Sequence, residues 1–452
     1  MQHPTTLLLF NYDWDHVATE RLKSQWPSAH SGFDLFKFPS NARLAWFNMA
    51  RFVQLCAIKA KLLGAQAVMS NHEHFGALCA AMLAEKMGWP GTPVSAVLAC
   101  QHKLHARQVL QQVAPEANVW FTRLDARYGE PIPDGLPYPS FVKPVKAAFS
   151  VLARTVQNRY ELHEHTRFGP WELWVIRHLV EPFEQVASKR LAHAGTAHSL
   201  MLEEPVKGRQ YNLDGYVWQG EVRPLGVVDE VMYPNTDAFM RFEYPSRLPA
   251  AVQHRAADVA KRFLQAVGFT HGMFNMEFFY CEQSDRLTVI EFNPRMASQF
   301  SDLYERVDGV NLHEIAFSLA HGHDPALLST RTPSAGAAAS FVYRLFDPTQ
   351  QAQFPMADQR KRFQLEYPDA LLFEFPKDGP QIERDFKWLR SYRYGIVHLG
   401  GANSSDLRQR CETASQILAW PAPYAGEVLE FVNTPRARGP ELFAPDRVSK
   451  TA

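Results

Sequence analysis

The sequence predicts a mixed fold: a parallel α/β domain, then an α+β centre of two lobes, then a β-rich C-terminal lobe. Three observations carry this. Apolar strand-length runs alternate with helical periodicities up to about residue 98. β-rich stretches return from about residue 335. Between them lies FNMEFFYCEQSDRLTVIEFNPR, Phe274–Arg295, which reads as two apolar strands around the polar turn Glu282–Arg286.

In chain order, TLLLFNY (Thr6–Tyr12) is a first strand and Phe33–Phe38 a short second one. Ala42–Leu63 has helical periodicity and stops at Gly64. Ala65–Ser70 is a buried strand, and Phe75–Met87 an apolar helix closed by Gly88. Lys103–Gln112 is a helix and Phe141–Val145 (FVKPV) a strand, after a proline-dense linker. A long helical region covers about Tyr160–Ala192, and Ser199–Glu204 is a strand. Gln210–Val217 and Val222–Asp229 are antiparallel neighbours around Gln219 and Gly220. Helices at Arg255–Val267 and Asn311–Ala320 flank the 274–295 hairpin. The strands SFVYRLF, ALLFEF and SYRYGIVHLGG follow, then a helix near Ser405–Ala419 and a loose tail from Pro435.

Composition narrows the class. The 452 residues allow two or three domains, and 46% hydrophobic with 21% charged content is that of a soluble globular chain. A formal charge of zero argues against a broad nucleic-acid surface. There is no apolar run long enough for a membrane span and no basic-flanked leader. The five cysteines are scattered without a CxxC, which fits a reducing cytoplasm and free thiols.

The chemistry concentrates in a few places. In the hairpin, Glu277 and Glu291 would project from one face with Asn293 beside them, a set suited to a hard cation such as Mg²⁺. The bland alternative, charges on the wet face of a hairpin, has the difficulty that both carboxylates sit among Phe, Val and Ile. Arg295 suits a phosphate or carboxylate, or a simple salt bridge. Lys143, inside an apolar strand, is an edge residue or an anion ligand, and Lys146 on the opposite face reads as solvated. Glu203 and Glu204 end SLMLEE before PVKG, either as a plain hinge or as an adenine clamp completed by the Val206 amide. Lys103, opening a helix, reads by itself as a surface lysine. His72 and His74 in NHEHFG are two apart rather than four, the wrong spacing for a helical zinc pair.

In this order, the Pro90–Thr92 turn, the Lys103 helix, FVKPV, LEEPVKG and the MEF…IEFNPR pair together resemble the ATP-grasp superfamily, over about residues 65–325. The resemblance implies ATP between two α+β lobes, with Lys103 and Lys143 on its phosphates. Glu203, with Glu204 beside it, would take the adenine amine, and Val206 would offer its backbone. Glu277, Glu291 and Asn293 would hold one or two Mg²⁺ ions (Mn²⁺ being a substitute), and Arg295 would be the catalytic anion contact. It also implies a domain plan of 1–98 (pre-ATP-grasp-like), 99–325 (ATP-grasp, with a lid at about 120–205), 326–435 and a tail at 436–452. Two departures stand out. The lid stretch KAAFSVLA has no glycine, leaving Ser150 and backbone amides to cradle phosphate, and Gln210 occupies the ribose-binding glutamate position.

The expected activity is a cytoplasmic ligase joining a small-molecule carboxylate to an amine through an acyl phosphate; a homodimer is compatible with the sequence. The alternatives are a biotin-carboxylase-like enzyme, without an MKM biotin-attachment motif in this chain, and a non-catalytic nucleotide-binding protein. Substrate choice is expected near Arg295 and Glu73, with Ser298, Gln299, Tyr304 and Arg306 as candidate contacts.

Overall fold

The computed structural model describes residues 3–34, 40–147, 152–424 and 439–443. The N-terminal strands β1 (Thr6–Leu9), β2 (Ser28–Ser31) and β3 (Ala67–Met69) form a parallel sheet in the order β2-β1-β3. Helices α1 (Asp13–Leu22), α2 (Met49–Leu63) and α3 (Gly76–Met87) accompany it. The second strand thus precedes the expected Phe33–Phe38, of which 35–38 lie outside the described residues. Helix α2 starts at Met49 rather than Ala42 because Asn48 caps it, its side chain accepting from the Arg51 amide at 2.9 Å. Its left-handed Gly64 ends it as predicted.

Helices α4 (Val94–Gln101) and α5 (Lys103–Val113) lead into a four-stranded lobe. Its strands are β4 (Phe121–Leu124), β5 (Ser140–Pro144), β6 (Arg154–Val156) and β7 (Leu200–Glu203), in the antiparallel order β4-β7-β5-β6. The helical region between β6 and β7 is two helices, α6 (Arg159–Thr166) and α7 (Pro170–Arg190). They separate at Gly169 and Pro170, where proline takes the first helical position.

The largest sheet holds β8 (Arg209–Trp218), β9 (Glu221–Met232), β10 (Phe239–Tyr244), β11 (Gly272–Cys281), β12 (Arg286–Asn293), β13 (Ala337–Leu345), β14 (Leu371–Glu374) and β15 (Tyr392–Gly401). Their order is β12-β11-β8-β9-β10-β13-β15-β14, so the C-terminal strands continue the same sheet as the hairpin. Helix α8 (Ala250–Ala266) covers one face: Phe263 stacks flat on Phe292 at 3.8 Å, above buried Leu213, Phe274 and Met276. Helices α9 (Ser301–Asp308) and α10 (Leu312–Ala320) pack on the other face with Tyr216, Val228 and Phe242. The tail is not wholly loose: Gly439–Leu442 is helical, and the Gly439 amide donates to the Tyr244 hydroxyl at 3.2 Å. Among the described residues, no helix is long and apolar enough to cross a membrane.

Candidate active site

The hairpin β11–β12 needs a register correction before its carboxylates can meet. Near the turn, Cys281 pairs with Arg286 and Phe278 with Val289. Continued unchanged, that register would put Glu277 opposite Ile290 and turn Glu291 to the other face. A bulge at Ile290 shifts the pairing by one, so Glu277 faces Glu291 and Asn275 faces Asn293. A second bulge, between Asp214 and Gly215, does the same in β8–β9 and pairs Gln210 with Glu230 instead of Asp229. The two shifts gather a polar face on an otherwise apolar sheet.

On that face side-chain amides donate into carboxylates. Asn293 Nδ2 donates to Glu277 Oε1 at 3.0 Å and to Asn275 Oδ1 at 3.1 Å. Gln210 Nε2 donates to Glu277 Oε2 at 3.3 Å, and Asn275 Nδ2 to Asp214 Oδ1 at 3.0 Å. Asn212 donates to Glu230, a carboxylate that the sequence reading did not single out. Among the described residues, its Oε2 is buried without a hydrogen-bond partner. Burial pushes the Glu230 carboxyl well above the usual range, and the neighbouring Glu277 charge adds to this. Glu277 is also raised, first by burial, against the pull of Arg295 and Lys103. Lys103 forms a direct ion pair with Glu291.

Two facing carboxylates and an amide whose Oδ1 stays outside these bonds match the donor set Mg²⁺ takes, which uses few protein ligands and leaves places for phosphate oxygens and water. Among the described residues, no three His, Cys, Asp or Glu gather as a closed metal cage. The group therefore fits a cation shared with a ligand.

The other end of the cleft is built on α5 and the four-stranded lobe. His102 caps α5, its Nδ1 accepting from the His105 amide at 3.2 Å. The Lys103 amide donates to Val145 O at 3.1 Å, tying α5 to the end of β5. One turn on, Arg107 binds Glu203 through Nε (2.7 Å) and Nη2 (3.1 Å). Lys143 Nζ reaches the same carboxylate at 2.9 Å. Glu203 is 3% exposed. Burial pushes its carboxyl up, but Arg107 and Lys143 outweigh this and hold it at about 2. Arg107 Nη1 also donates to Val289 O at 2.7 Å and Nη2 to Ile290 O at 3.4 Å, so it grips the backbone of the bulge itself. Arg107 was missed in the sequence, although it stands four residues from Lys103 on one helix face.

Of the remaining candidates, Glu204 is held by both Arg286 guanidinium nitrogens, at 2.9 and 3.2 Å. Val206 lies half-buried in the turn to β8. That turn needs Gly208: its φ is +130°, and a Cβ there would meet Tyr280 O at 2.5 Å. Ser150 lies outside the described residues. Arg295 Nε donates to Glu73 Oε2 at 2.9 Å, joining the N-terminal domain to the hairpin. Against burial, Arg295 and then Lys146 and Lys103 hold the Glu73 carboxyl below its usual range.

Lys146 is not solvated: it is 1% exposed, because the chain turns inward after Pro144. Tyr304 and Arg306 are corrected as well. The Tyr304 hydroxyl is buried on Asp214 and Gly226 O, and Arg306 is engaged by Asp302 and Asp369, so both hold α9 in place. Ser298 accepts from Trp14 Nε1 at 2.8 Å, and Gln299 donates to Ser340 at 2.8 Å.

Residues 136–302, which hold β5, β7–β9 and the bulged hairpin, match the ATP-grasp domain family. The chain carries an ATP-grasp domain. It is 28% identical to carnosine synthase 1 of Gallus gallus over 266 residues, 56% of this chain and 27% of that protein. It is 29% identical to D-alanine–D-alanine ligase of Synechococcus sp. (strain RCC307) over 188 residues, 41% of this chain and 49% of that one. The matches thus span half or less of either relative. Among solved structures, L-amino acid ligase from Bacillus licheniformis shares the fold at TM-score 0.67 and 14% identity, over 92% of this chain and 97% of that one. Biotin carboxylase from Campylobacter jejuni does so at TM-score 0.58 and 14% identity, over 91% of each chain.

Proposed function

We propose that this protein is an ATP- and Mg²⁺-dependent ligase that joins a small-molecule carboxylate to an amine and releases ADP and phosphate. The observation that carries the reading is the bulged hairpin, with Glu277 facing Glu291, Asn293 alongside, and Lys103 reaching in from α5. In the first step a substrate carboxylate oxygen attacks the γ-phosphorus of ATP. The bond from that phosphorus to the β,γ-bridging oxygen breaks, and ADP leaves. In the second step an amine attacks the acyl carbon, the bond to the phosphate oxygen breaks, phosphate leaves, and the amine gives up its proton.

Glu277, Glu291 and Asn293 would hold the cation, whose role when bound is to offset charge on the phosphates. Mn²⁺ would serve in its place. Lys103 would exchange its ion pair with Glu291 for phosphate oxygens. Lys143 would likewise turn from Glu203 to phosphate oxygens, Glu203, still held by Arg107, would take the adenine amine, Val206 would offer its amide to the adenine, and Glu204 would border the slot. Gln210 would face the ribose, and Ser150 would serve as the phosphate-side hydroxyl. Arg295 would hold anionic oxygen at the acceptor end. The names of two similar proteins, L-amino acid ligase and D-alanine–D-alanine ligase, favour amino acids as substrates. The shared fold with biotin carboxylase supports a second reading, bicarbonate phosphorylation.

Incubation with MgATP and a panel of amino acids, followed for ADP and for a new amide mass, tests the proposal. ADP release that requires two amino acids supports the ligase. Release with bicarbonate alone supports the carboxylase, and binding without turnover under every condition removes both.

A further inference from the structure

Among the described residues, each cation of these two clusters has a protein anion except one. Arg107 and Lys143 share Glu203, Lys103 pairs with Glu291, and Arg295 pairs with Glu73. Lys146 is 1% exposed, and its Nζ has no hydrogen-bond partner. It lies over the ring face of buried Phe183 on α7, 4.9 Å from Nζ to the centroid. A ring face offsets only part of the cost of burying an ammonium group. The backbone is held on both sides just before it: the Val145 carbonyl accepts from the Lys103 amide at 3.1 Å, and the Val145 amide donates to Ser199 O at 3.0 Å.

The position of Lys146 separates it from the base end. β5 runs from Phe141 opposite Glu203 to Pro144 opposite Leu200, so Lys146 lies beyond the strand end away from Glu203; Phe183, under its Nζ, is one helical turn from Leu179, whose carbonyl accepts from His74 Nε2 at 2.7 Å. Glu73 and His74 belong to the N-terminal domain, on the loop between β3 and α3. Glu73 is already hydrogen-bonded to Arg295 and gives Lys146 no hydrogen bond, and burial lowers the Lys146 ammonium to about 7. A single carboxylate is the ligand that neutralises it.

We infer that Lys146 binds the carboxylate of the acceptor substrate and sets it beside Arg295, at the end of the cleft opposite Glu203. This rests on the ligase reading for its catalytic consequence but not for the binding itself. The side chain supplies the counter-charge from a fixed backbone, so the acid is held without ordering a mobile arm.

Lys146→Met and Lys146→Arg in the full chain test this by thermal shift and by steady-state ADP release. The probes are MgADP alone, MgADP with each of the twenty amino acids, and MgADP with inorganic phosphate. Lys146→Met is expected to melt no lower than wild type without ligand, since it deletes a buried unpaired charge. Its ATP affinity should stay within about threefold. The amino-acid-dependent shift should vanish and kcat/KM for the acid should fall about a hundredfold or more, with Lys146→Arg recovering part of it. The inference is overturned if the amino-acid shift persists in Lys146→Met, if only the phosphate shift or ATP affinity is lost, or if no amino acid shifts the wild type. A wild type that shows the amino-acid shift but releases no ADP would sink the ligase reading and leave Lys146 as the anchor.

Discussion

The two ends of the cleft both bury carboxylates, and they treat them differently. At the β7 end, Glu203 meets Arg107 and Lys143, so two cations serve one anion. At the hairpin end, Glu277, Glu291 and Glu230 share one directly paired cation, Lys103, and rely on amides from Gln210, Asn212 and Asn293. Amides satisfy lone pairs but do not neutralise charge. The first end is complete as folded; the second has more carboxylates than directly paired cations. A saturated ion cluster therefore reads as architecture, and an anion-rich one as a binding site.

Breaking the hairpin end should cost most in turnover. Glu291→Gln is expected to lower ADP release by three to four orders of magnitude, roughly 4–5 kcal/mol in barrier, with an unchanged circular dichroism spectrum; near-normal turnover would remove Glu291 from the site. Breaking the saturated end should instead cost folding. Arg107→Met leaves Glu203 with Lys143 alone and the bulge carbonyls without donors, and should lose about 3–5 kcal/mol in denaturant unfolding. It should also lower turnover, because the bulge sets the carboxylate register.

The pH dependence of stability sharpens the contrast. Glu203 is held at about 2 in the folded state, below its value in the unfolded chain. Its contribution, about 3 kcal/mol, is present above the usual carboxylate range and lost as pH falls from about 5 towards 2. Glu203→Gln should flatten the unfolding curve in that window. Glu277 and Glu230 are raised, so their contribution runs the other way and falls as pH rises through the folded values. The smallest effect is expected from Gln210→Glu, which replaces an amide donor beside Glu277 with a further negative charge. It should cost about 1–3 kcal/mol without metal, and added Mg²⁺ should recover part of that in a thermal melt.

Much of this was legible in the sequence, for identifiable reasons. Glu277, Glu291 and Asn293 stood out as polar residues inside apolar strands, and the helix ends at Gly64 and Gly88 announced themselves by residue type. What stayed hidden depends on register and on three-dimensional pairing. The bulge at Ile290 leaves no mark in composition, yet without it the two glutamates would face apart. Glu230 was hidden by the companion bulge, because an even hairpin around Gln219 and Gly220 puts Asp229 opposite Gln210. Lys146 looked solvated because strand alternation was extended past Pro144, where the strand ends. The N-cap role of Asn48 was visible in principle and would have moved the start of α2 by seven residues, from Ala42 to Met49.

The continuous eight-stranded sheet has a mechanical consequence. β10 pairs with β13 through Arg241–Phe341, Phe242–Ser340, Glu243–Ala339 and Tyr244–Ala338, which welds the hairpin floor to the C-terminal strands. Floor and C-terminal lobe form a single stiff plate, and a hinge between them would tear a hydrogen-bonded ladder. Among the described residues, the four-stranded lobe shares no ladder with that plate. That lobe meets the plate through side chains instead: Arg107 grips Glu203 and the bulge carbonyls, and Phe168 stacks on Trp388 with ring centroids 5.4 Å apart.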